Sequence, residues 1–266
     1  MSENRIDASF VRVASRKGPG LIPFLTVGFP DVQATLELVP ALVEAGADVV
    51  ELGVPFSDPL ADGLTIQAAS FHALQQGVTL GRCLEVIRSL RAQQVQVPLV
   101  LMGYYNPLMA FRLEHFAQEA AQAEVDGVIA ADLPVEEAGP LQKALDARNI
   151  YLIPLLAPTS TEQRIQQACA QARGFIYCVS LTGVTGARDE LPSGVSRLVQ
   201  RVRQHTQLPL AVGFGISRRE HVEAIGTYAD AAVVGSALLR ILQEAPRTEA
   251  TRRVREYLLY LKGGAT

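Results

Sequence analysis

Two carboxylates stand out in the stretch from Val49 to Asp62, which reads VVELGVPFSDPLAD. Glu51 interrupts an apolar, β-branched run that is typical of a buried strand, and Asp62 follows on a loop rich in Pro, Asp and Gly. Burying a carboxylate without partners is opposed by lost hydration, so such a group finds a donor, raises its pKa or performs chemistry. Because two carboxylates in different environments can divide acid and base roles, we predict that Glu51 is a buried proton-transfer group and Asp62 an ionised acceptor. The alternatives are a structural role for Glu51 and a simple helix N-terminal acid at Asp62.

Other reactive residue types lie outside the positions where they could act. Lys17, Lys143 and Lys262 are the lysines of the chain and fall in terminal or helical segments, so a Schiff base at a strand end is not expected. The histidines also fall in helical or connecting segments, and no set of His, Cys and carboxylates has the spacing of a metal site. No Rossmann fingerprint for a nicotinamide cofactor is present. Carboxylate acid–base chemistry is therefore the predicted reaction type.

Glycine-rich turns follow the last two predicted strands. Gly213 and Gly215 lie in the sequence GFGIS, Gly235 and Ser236 lie in VVGSA, and each turn leads into a helix. Glycine lets the backbone approach a phosphate closely, and the N–H groups at a helix start attract its negative charge. Glycine is also common in ordinary strand–helix turns, which is the alternative interpretation. The position of both turns, with Gly186 available from an earlier loop, favours a phosphorylated small substrate.

Large apolar or amphipathic side chains recur near the predicted strand ends. As a set they could hold a flat aromatic ring, although bulky residues also fill barrel interiors without binding anything. The sequence leaves both interpretations open. The set comprises Phe24, Leu101, Tyr104, Leu155, Tyr177 and Phe214.

The elements that would position these residues are eight short apolar runs, which alternate with segments of helical spacing. Continuous runs of Val, Ile and Leu bounded by Gly or Pro indicate strands covered on both faces, as in a parallel sheet. The runs are Leu21–Val27, Val49–Val54, Leu99–Met102, Gly127–Asp132, Tyr151–Leu156, Phe175–Ser180, Leu210–Phe214 and Ala231–Gly235. Eight such units in 266 residues, without a linker, predict an α/β fold, a single-domain (β/α)8 TIM barrel over residues 1–266.

Two additions to the barrel are also predicted. An amphipathic segment before the first run predicts an extra N-terminal helix, with Ile6, Phe10, Val11 and Val13 on one face. The longest connection, from Phe56 to Pro98, predicts a loop and a short helix inserted after the second strand. The long connection after the sixth run, residues 181–192, is predicted to be a mobile flap, and a solvated surface loop is the alternative. Barrel enzymes bind substrates at the C-terminal ends of their strands, so the predicted site residues should meet there.

Composition limits the partners of the chain. The net charge is −3, and Lys and Arg are scattered among acids, which argues against a nucleic-acid partner. No apolar run approaches the ~20 residues needed to cross a membrane. Three cysteines without CxxC spacing, and a start that lacks the apolar stretch of a signal peptide, predict a cytoplasmic location. A plastid stroma would fit equally if the source is a plant.

Five segments of the sequence closely resemble the tryptophan synthase alpha subunit family. The resemblance extends over nearly the whole chain, and the segment around Glu51 is the most specific. The segments are FLTVGFP at 24–30, ELGVPFSDPLADG at 51–63, ADLP at 131–134, GVTG at 183–186 and GFGIS at 213–217.

The resemblance implies a carbon–carbon lyase of the last stage of L-tryptophan biosynthesis. Its reaction is the retro-aldol cleavage of indole-3-glycerol phosphate to indole and glyceraldehyde 3-phosphate. On the family pattern Glu51 protonates indole C3 and helps to deprotonate the glycerol hydroxyl. Asp62 accepts a hydrogen bond from the indole N–H and stabilises its developing positive charge. The family pattern implies no cofactor and no metal in this subunit.

The family pattern also implies supporting residues. Gly186, Gly213, Gly235 and Ser236 match phosphate-binding positions. Tyr177 matches a position close to the catalytic carboxylate, and Thr185 matches a loop residue that helps to close the site over Asp62. The indole pocket is matched by Phe24, Leu101, Tyr104, Leu155 and Phe214. The sequence departs from common family patterns at YYNP, residues 104–107, and at Leu181, which leaves the details of the pocket and the flap open.

A partner is implied as well. The family pairs with a beta subunit, which uses pyridoxal phosphate to join indole to serine, in an alpha2beta2 heterotetramer with an internal channel. Pro55 and Asp58 resemble the contact residues for that partner. A stand-alone indole-3-glycerol phosphate lyase, which releases free indole, shares the same motifs. A catalytically inactive, phosphate-binding regulatory barrel would lack one of the two acids, and a phosphosugar isomerase would need a base and an electrophile on other strands.

Overall fold

The structure is a computed structural model that describes residues 3–179, 193–213 and 215–263. Its nine strand segments form one parallel sheet in the order β5-β4-β3-β2-β1-β9-β8-β7-β6. Together they correspond to the eight predicted apolar runs. They are β1 (Gly20–Thr26), β2 (Val50–Gly53), β3 (Leu99–Gly103), β4 (Gly127–Ala130), β5 (Tyr151–Leu152), β6 (Leu155–Leu156), β7 (Ile176–Val179), β8 (Leu210–Gly213) and β9 (Ala231–Val234).

The sheet closes on itself through the fifth predicted run. Strands β5 and β6 stand at opposite ends of the strand order, yet only Ile153 and Pro154 separate them in the chain. The N–H of Ile153 donates to the carbonyl of Val128 on β4 at 2.9 Å, and the N–H of Tyr177 on β7 donates to the carbonyl of Pro154 at 3.1 Å. Pro154 divides this strand because it has no N–H to donate. The predicted (β/α)8 TIM barrel is confirmed, with its fifth strand in two segments.

Helices follow the strands and cover the outside of the barrel. Helix α1 precedes the first strand, and both α3 and α4 lie in the long connection between β2 and β3. A 3₁₀ turn covers Val135–Glu137. The helices are α1 (Arg5–Ala14), α2 (Val32–Glu44), α3 (Leu64–Gln75), α4 (Leu80–Ala92), α5 (Tyr105–Ala110), α6 (Leu113–Gln122), α7 (Gly139–Asp146), α8 (Glu162–Gln171), α9 (Ser193–Arg203), α10 (Arg219–Ile225), α11 (Ser236–Glu244) and α12 (Arg247–Lys262). None of the described helices is long and apolar enough to cross a membrane.

Helix α1 closes the N-terminal end of the barrel. Its first N–H groups are capped by Asn4, whose side chain accepts from the N–H of Ile6 at 2.9 Å. Ile6, Phe10 and Val13 recur on one face and pack into the cluster of side chains inside the barrel, which includes Phe175. The assignment of Val11 to this face is wrong, because Val11 follows Phe10 directly on the helix and is 66% exposed. A second, larger cluster lies between the strands and the surrounding helices. The interior of the barrel is therefore packed from its base upward, and a cleft inside it can open only at the opposite mouth.

A repeated aspartate arrangement fixes the strands at the base. In three places an aspartate just before one strand accepts a backbone N–H from the start of the neighbouring strand and pairs with an arginine that precedes that neighbouring strand in the chain. Each aspartate thus satisfies a backbone donor that the parallel ladder leaves free. The three groups are Asp48 with Leu21 and Arg16, Asp126 with Leu99 and Arg91, and Asp230 with Leu210 and Arg203.

Candidate active site

Glu51 lies on β2, two residues before the C-terminal end of that strand, and is almost completely enclosed. It sits on β2 in register with Phe24 on β1 and Val100 on β3, and it is 2% exposed. Its Oε1 atom is buried and has no hydrogen-bond partner among the described residues. Burial, with a smaller contribution from the negative charge of Asp62, raises the pKa of Glu51 to about 8. At neutral pH this side chain is therefore mostly a carboxylic acid that can donate a proton.

Asp62 is the second acid of the site, and its carboxylate accepts a hydrogen bond from a tyrosine hydroxyl. It lies on the loop between β2 and α3, where Tyr104 donates a hydrogen bond to Asp62 Oδ2 at 3.0 Å. The same phenol oxygen accepts the N–H of Ala61 at 3.0 Å. Burial raises the pKa of Asp62 to about 6, and the hydrogen bond from Tyr104 limits that rise. Asp62 is therefore mostly ionised at neutral pH, while Glu51 is mostly protonated.

The two acids thus occupy opposite protonation states in one site. The negative charge of Asp62 contributes to the raised pKa of Glu51, so each acid favours the neutral form of the other. One group can give a proton to a substrate carbon, and the other can accept a hydrogen bond and stabilise a positive charge. This is the division of roles that the sequence predicts for the pair.

Tyr177 stands beside these acids on β7. Its side chain is buried, and burial together with the charges of Glu51 and Asp62 raises the pKa of its phenol well above the ordinary value. A Cβ atom added to Gly213 would lie 2.1 Å from the Tyr177 hydroxyl. Glycine at 213 is thus required for Tyr177 to reach its position, in addition to any role in phosphate binding.

Phe24 forms one wall of the site and depends on two glycines. A Cβ atom on Gly53 would lie 2.5 Å from the Phe24 ring, and one on Gly235 would lie 3.3 Å from Phe24 Cβ. A cleft of about 280 Å³ lies beside this ring. It is lined by Phe24, Thr26, Gly53, Val54, Asp62, Ile66, Ser70, Met102, Gly103 and Tyr104.

The strand β3 contributes a different residue to the cleft from the one predicted. Leu101 is 1% exposed and packs in the cluster between strands and helices, whereas Met102 lines the cleft. Successive side chains of a strand point to opposite faces, so only one of these neighbours can face the barrel interior. The assignment of Leu101 to a ring pocket is corrected to Met102. Leu155 packs against the cluster inside the barrel, but it lines a separate cavity and not this cleft.

The described part of the predicted phosphate site lies at the ends of β8 and β9. Gly213 ends β8, and Gly215 has a φ of +49°, in the left-handed region that favours glycine. Gly235 precedes Ser236 at the start of α11, a helix with no side-chain cap on its first N–H groups. Such uncapped N–H groups suit an anion. The predicted residues Thr185, Gly186 and Phe214 and the predicted flap lie outside the described residues.

The loop that carries Asp62 also presents an apolar surface. Pro55 is buried in the chain, whereas Asp58 is exposed. Leu60 is 93% exposed, and Leu64 at the start of α3 and Met109 on α5 are also largely exposed. Exposed large apolar side chains on neighbouring elements are typical of a protein contact surface.

A larger cavity, of about 450 Å³, lies outside the barrel between β4 to β6 and the helices α7 and α8. Its lining is mainly Ala, Leu, Val, Ile and Pro, with Gln142 and Gln171 as the polar members. Because no acidic or basic side chain lines it, the cavity cannot perform acid–base chemistry. The described residues also include no group of three or more His, Cys, Asp or Glu that could hold a metal ion.

Thr26, Ser70 and Met102 are among the residues that line the cleft and were not predicted as site residues from the sequence. Thr26 belongs to the motif FLTVGFP and ends β1, so its position at a strand end was the available signal. Ser70 accepts the N–H of Phe56 at 2.9 Å and donates to its carbonyl at 3.1 Å, which fastens the loop to α3. A serine inside a helix gives no sequence signal for that contact.

Comparison with known proteins agrees with this geometry. A family model described as "Tryptophan synthase alpha chain" matches residues 10–263. The tryptophan synthase alpha chain of Chloroflexus aggregans is 51% identical over 257 residues, covering 95% of this chain and 96% of that protein. The alpha chain of a Roseiflexus species is 48% identical, covering 98% of this chain and 100% of that protein.

Solved structures show the same likeness. The alpha subunit from Legionella pneumophila superposes with a TM-score of 0.90 at 33% identity, with 98% of each chain covered. A structure described as the tryptophan synthase a2b2 complex from Pyrococcus furiosus contains a chain with a TM-score of 0.87 at 40% identity, covering 93% of this chain and 99% of that one. With the family model spanning almost all of its length, the chain belongs to the tryptophan synthase alpha chain family.

Proposed function

We propose that this chain cleaves indole-3-glycerol phosphate by a retro-aldol reaction, as a carbon–carbon lyase of the last stage of L-tryptophan biosynthesis. The observation that carries the proposal is Glu51, a buried and mostly protonated acid beside an ionised Asp62. The unpartnered Oε1 of Glu51 leaves one oxygen of that acid free for a substrate.

The reaction follows from the two protonation states. Glu51 donates its proton to indole C3, and the ionised Asp62 accepts the indole N–H and stabilises the positive charge that develops on the ring. Glu51, now a carboxylate, takes the proton of the hydroxyl on the carbon attached to C3. The carbon–carbon bond then breaks, its electrons return to the ring, and an aldehyde and indole leave. The proton balance closes, and Glu51 is regenerated as an acid.

The remaining site residues are proposed for binding. Phe24, Tyr104 and Phe214, with Met102 in place of Leu101, would hold the indole ring. The uncapped start of α11 and the nearby glycines support phosphate binding there. Tyr177 and Thr185 would support the acids. The phosphate-binding residues are Gly186, Gly213, Gly215, Gly235 and Ser236.

A beta subunit is the proposed partner, in an alpha2beta2 heterotetramer that supplies the pyridoxal phosphate chemistry. This chain needs no cofactor for its own step, since both proton transfers belong to Glu51. The exposed Asp58 and the neighbouring Leu60, Leu64 and Met109 support a contact at this loop, to which Pro55 contributes from a buried position. We also propose that residues 1–266 form one domain located in the cytoplasm, or in the plastid stroma of a plant.

The test is indole release from indole-3-glycerol phosphate by the purified chain, with and without a beta subunit. Glu51→Gln should lower the rate by at least ~100-fold, the size of a lost general acid–base group. Glu244→Gln, an exposed position at the far end of α11, is the matched control and should keep the wild-type rate. Full activity of Glu51→Gln would overturn the mechanism. A rate that saturating beta subunit leaves unchanged would instead favour a stand-alone lyase that releases free indole.

A further inference from the structure

The hydroxyl of Thr26 is buried in the cleft without a partner. Thr26 is 2% exposed, and its Oγ1 atom forms no hydrogen bond with any described residue. Buried polar atoms are almost always paired, so each exception calls for a physical reason. Besides Thr26 Oγ1, the side-chain atoms in this condition within the described chain are Glu51 Oε1 and the hydroxyl of Tyr257 on α12. Two of the three thus belong to the active site.

Packing alone does not explain a threonine at this position. Valine has nearly the same shape and would fill the space without an unpaired oxygen. Thr35 shows how this chain treats a threonine that serves structure: its hydroxyl accepts the N–H of Gly28 at 3.1 Å and donates to the carbonyl of Asp31 at 3.3 Å. The Thr26 hydroxyl lacks such partners and lines a cleft with Asp62 and Tyr104.

The position of β1 places Thr26 between the two ends of the substrate. In the sheet, β1 lies between β2, which carries Glu51, and β9, which leads to Gly235 and α11. Thr26 is the last residue of β1, and its register partner on β2 is Gly53, two residues beyond Glu51 towards the mouth. A substrate that reaches from Glu51 to a phosphate at α11 must therefore cross the end of β1.

If the chain acts on the substrate of the proposed function, one polar group of that substrate is left without a partner and is available to Thr26. Asp62 takes the indole N–H, the glycine turns take the phosphate, and Glu51 takes the hydroxyl on the carbon that is cleaved from the ring. The hydroxyl on the next carbon has no partner among these. We propose that the Thr26 hydroxyl is a substrate-contacting group that hydrogen-bonds this second hydroxyl and so fixes the glycerol chain for cleavage.

Thr26→Val removes the hydroxyl and keeps the shape of the side chain. We expect kcat/KM for indole release to fall on the order of 10- to 100-fold, because the substrate hydroxyl loses its partner in a water-poor site. Affinity for 3-(indol-3-yl)propyl phosphate, which lacks both hydroxyls, should stay within about twofold of wild type. Thr26→Ser keeps the hydroxyl and should retain most of the activity.

Stability gives a readout that separates this role from a structural one. Thr26→Val should melt at or above the wild-type Tm, because it removes a hydroxyl that is unpaired in the free protein. Thr35→Val is the matched control and should melt lower, since it leaves the N–H of Gly28 without an acceptor.

The outcomes separate this proposal from the proposed function. If wild type releases indole and Thr26→Val matches its kcat/KM, the Thr26 contact is overturned and the function stands. Equal losses in Thr26→Ser and Thr26→Val would also overturn it, because the methyl group and not the hydroxyl would then matter. Absence of indole release from wild type would overturn both proposals together.

Discussion

Replacing Glu51 by Gln should stabilise the folded chain by an amount that grows with pH. The pKa of Glu51 is about 8 in the folded chain, against an ordinary value of 4.5. Between these values the folded state holds a proton that the unfolded state has lost, so stability falls as pH rises. Each pH unit between these two values lowers the free energy of unfolding by about 1.4 kcal/mol. The raised pKa of Glu51 therefore lowers the free energy of unfolding by under about 1 kcal/mol at about pH 5 and by roughly 3 kcal/mol at about pH 7.

Gln resembles the neutral form of Glu and does not ionise, so Glu51→Gln avoids this cost. At about pH 7 its Tm should exceed that of wild type by about 5–10 °C, and the difference should shrink at about pH 5. Far-ultraviolet circular dichroism is a suitable probe because the chain contains no tryptophan. Glu244→Gln, exposed at the end of α11, should match wild type at every pH. A Tm difference that stays constant between about pH 5 and about pH 8 would refute the raised pKa of Glu51.

Three further substitutions test the support of the site and the base of the barrel. Tyr104→Phe removes the donor to Asp62, so the pKa of Asp62 should rise from about 6 by roughly one pH unit, and the acid limb of the pH–rate profile should rise equally. Gly213→Ala places a Cβ 2.1 Å from the Tyr177 hydroxyl, so the phenol must move, with a loss of about 1–3 kcal/mol in thermal unfolding and slower indole release. Asp126→Asn leaves a buried guanidinium without its carboxylate and should lower the free energy of unfolding by about 3 kcal/mol, measured by denaturant titration.

Each of these predictions has a contradicting result. An unmoved acid limb in Tyr104→Phe would show that the phenol does not set the pKa of Asp62. Wild-type Tm and activity in Gly213→Ala would show that Tyr177 does not need the space. Asp146→Asn, in a more exposed pair with Arg173, is the control for Asp126→Asn and should cost about 1 kcal/mol or less. Equal losses in the two aspartate variants would contradict the special role of the buried pair.

Much of the barrel was predictable because its strands are buried on both faces. Such strands read as continuous apolar runs, and Glu51 is conspicuous because a carboxylate interrupts one of them. The same property explains an error: with apolar residues on both faces, the sequence of β3 does not show that Met102 faces the barrel interior and Leu101 the helices. Register within the closed sheet decides that, and register depends on long-range pairing.

The contacts that set the pKa values of the two acids could not be predicted from the sequence, for a related reason. Tyr104 and Asp62 are 42 positions apart, and nothing local marks a tyrosine on one loop as the donor to an aspartate on another. The sequence also gives no sign that the hydroxyl of Thr26 is unpaired, because threonine is an ordinary residue in a strand. Pairing across elements and the absence of pairing are both properties of the folded chain.

The pH dependence of kcat/KM for indole release tests the division of roles between Glu51 and Asp62 most directly, since it reports the pKa values of the free enzyme. We expect a bell-shaped profile: the rate rises through about pH 6 as Asp62 ionises and falls through about pH 8 as Glu51 loses its proton. A rate that continues to rise above about pH 8 would show that the reaction starts from an ionised Glu51 and would contradict the account.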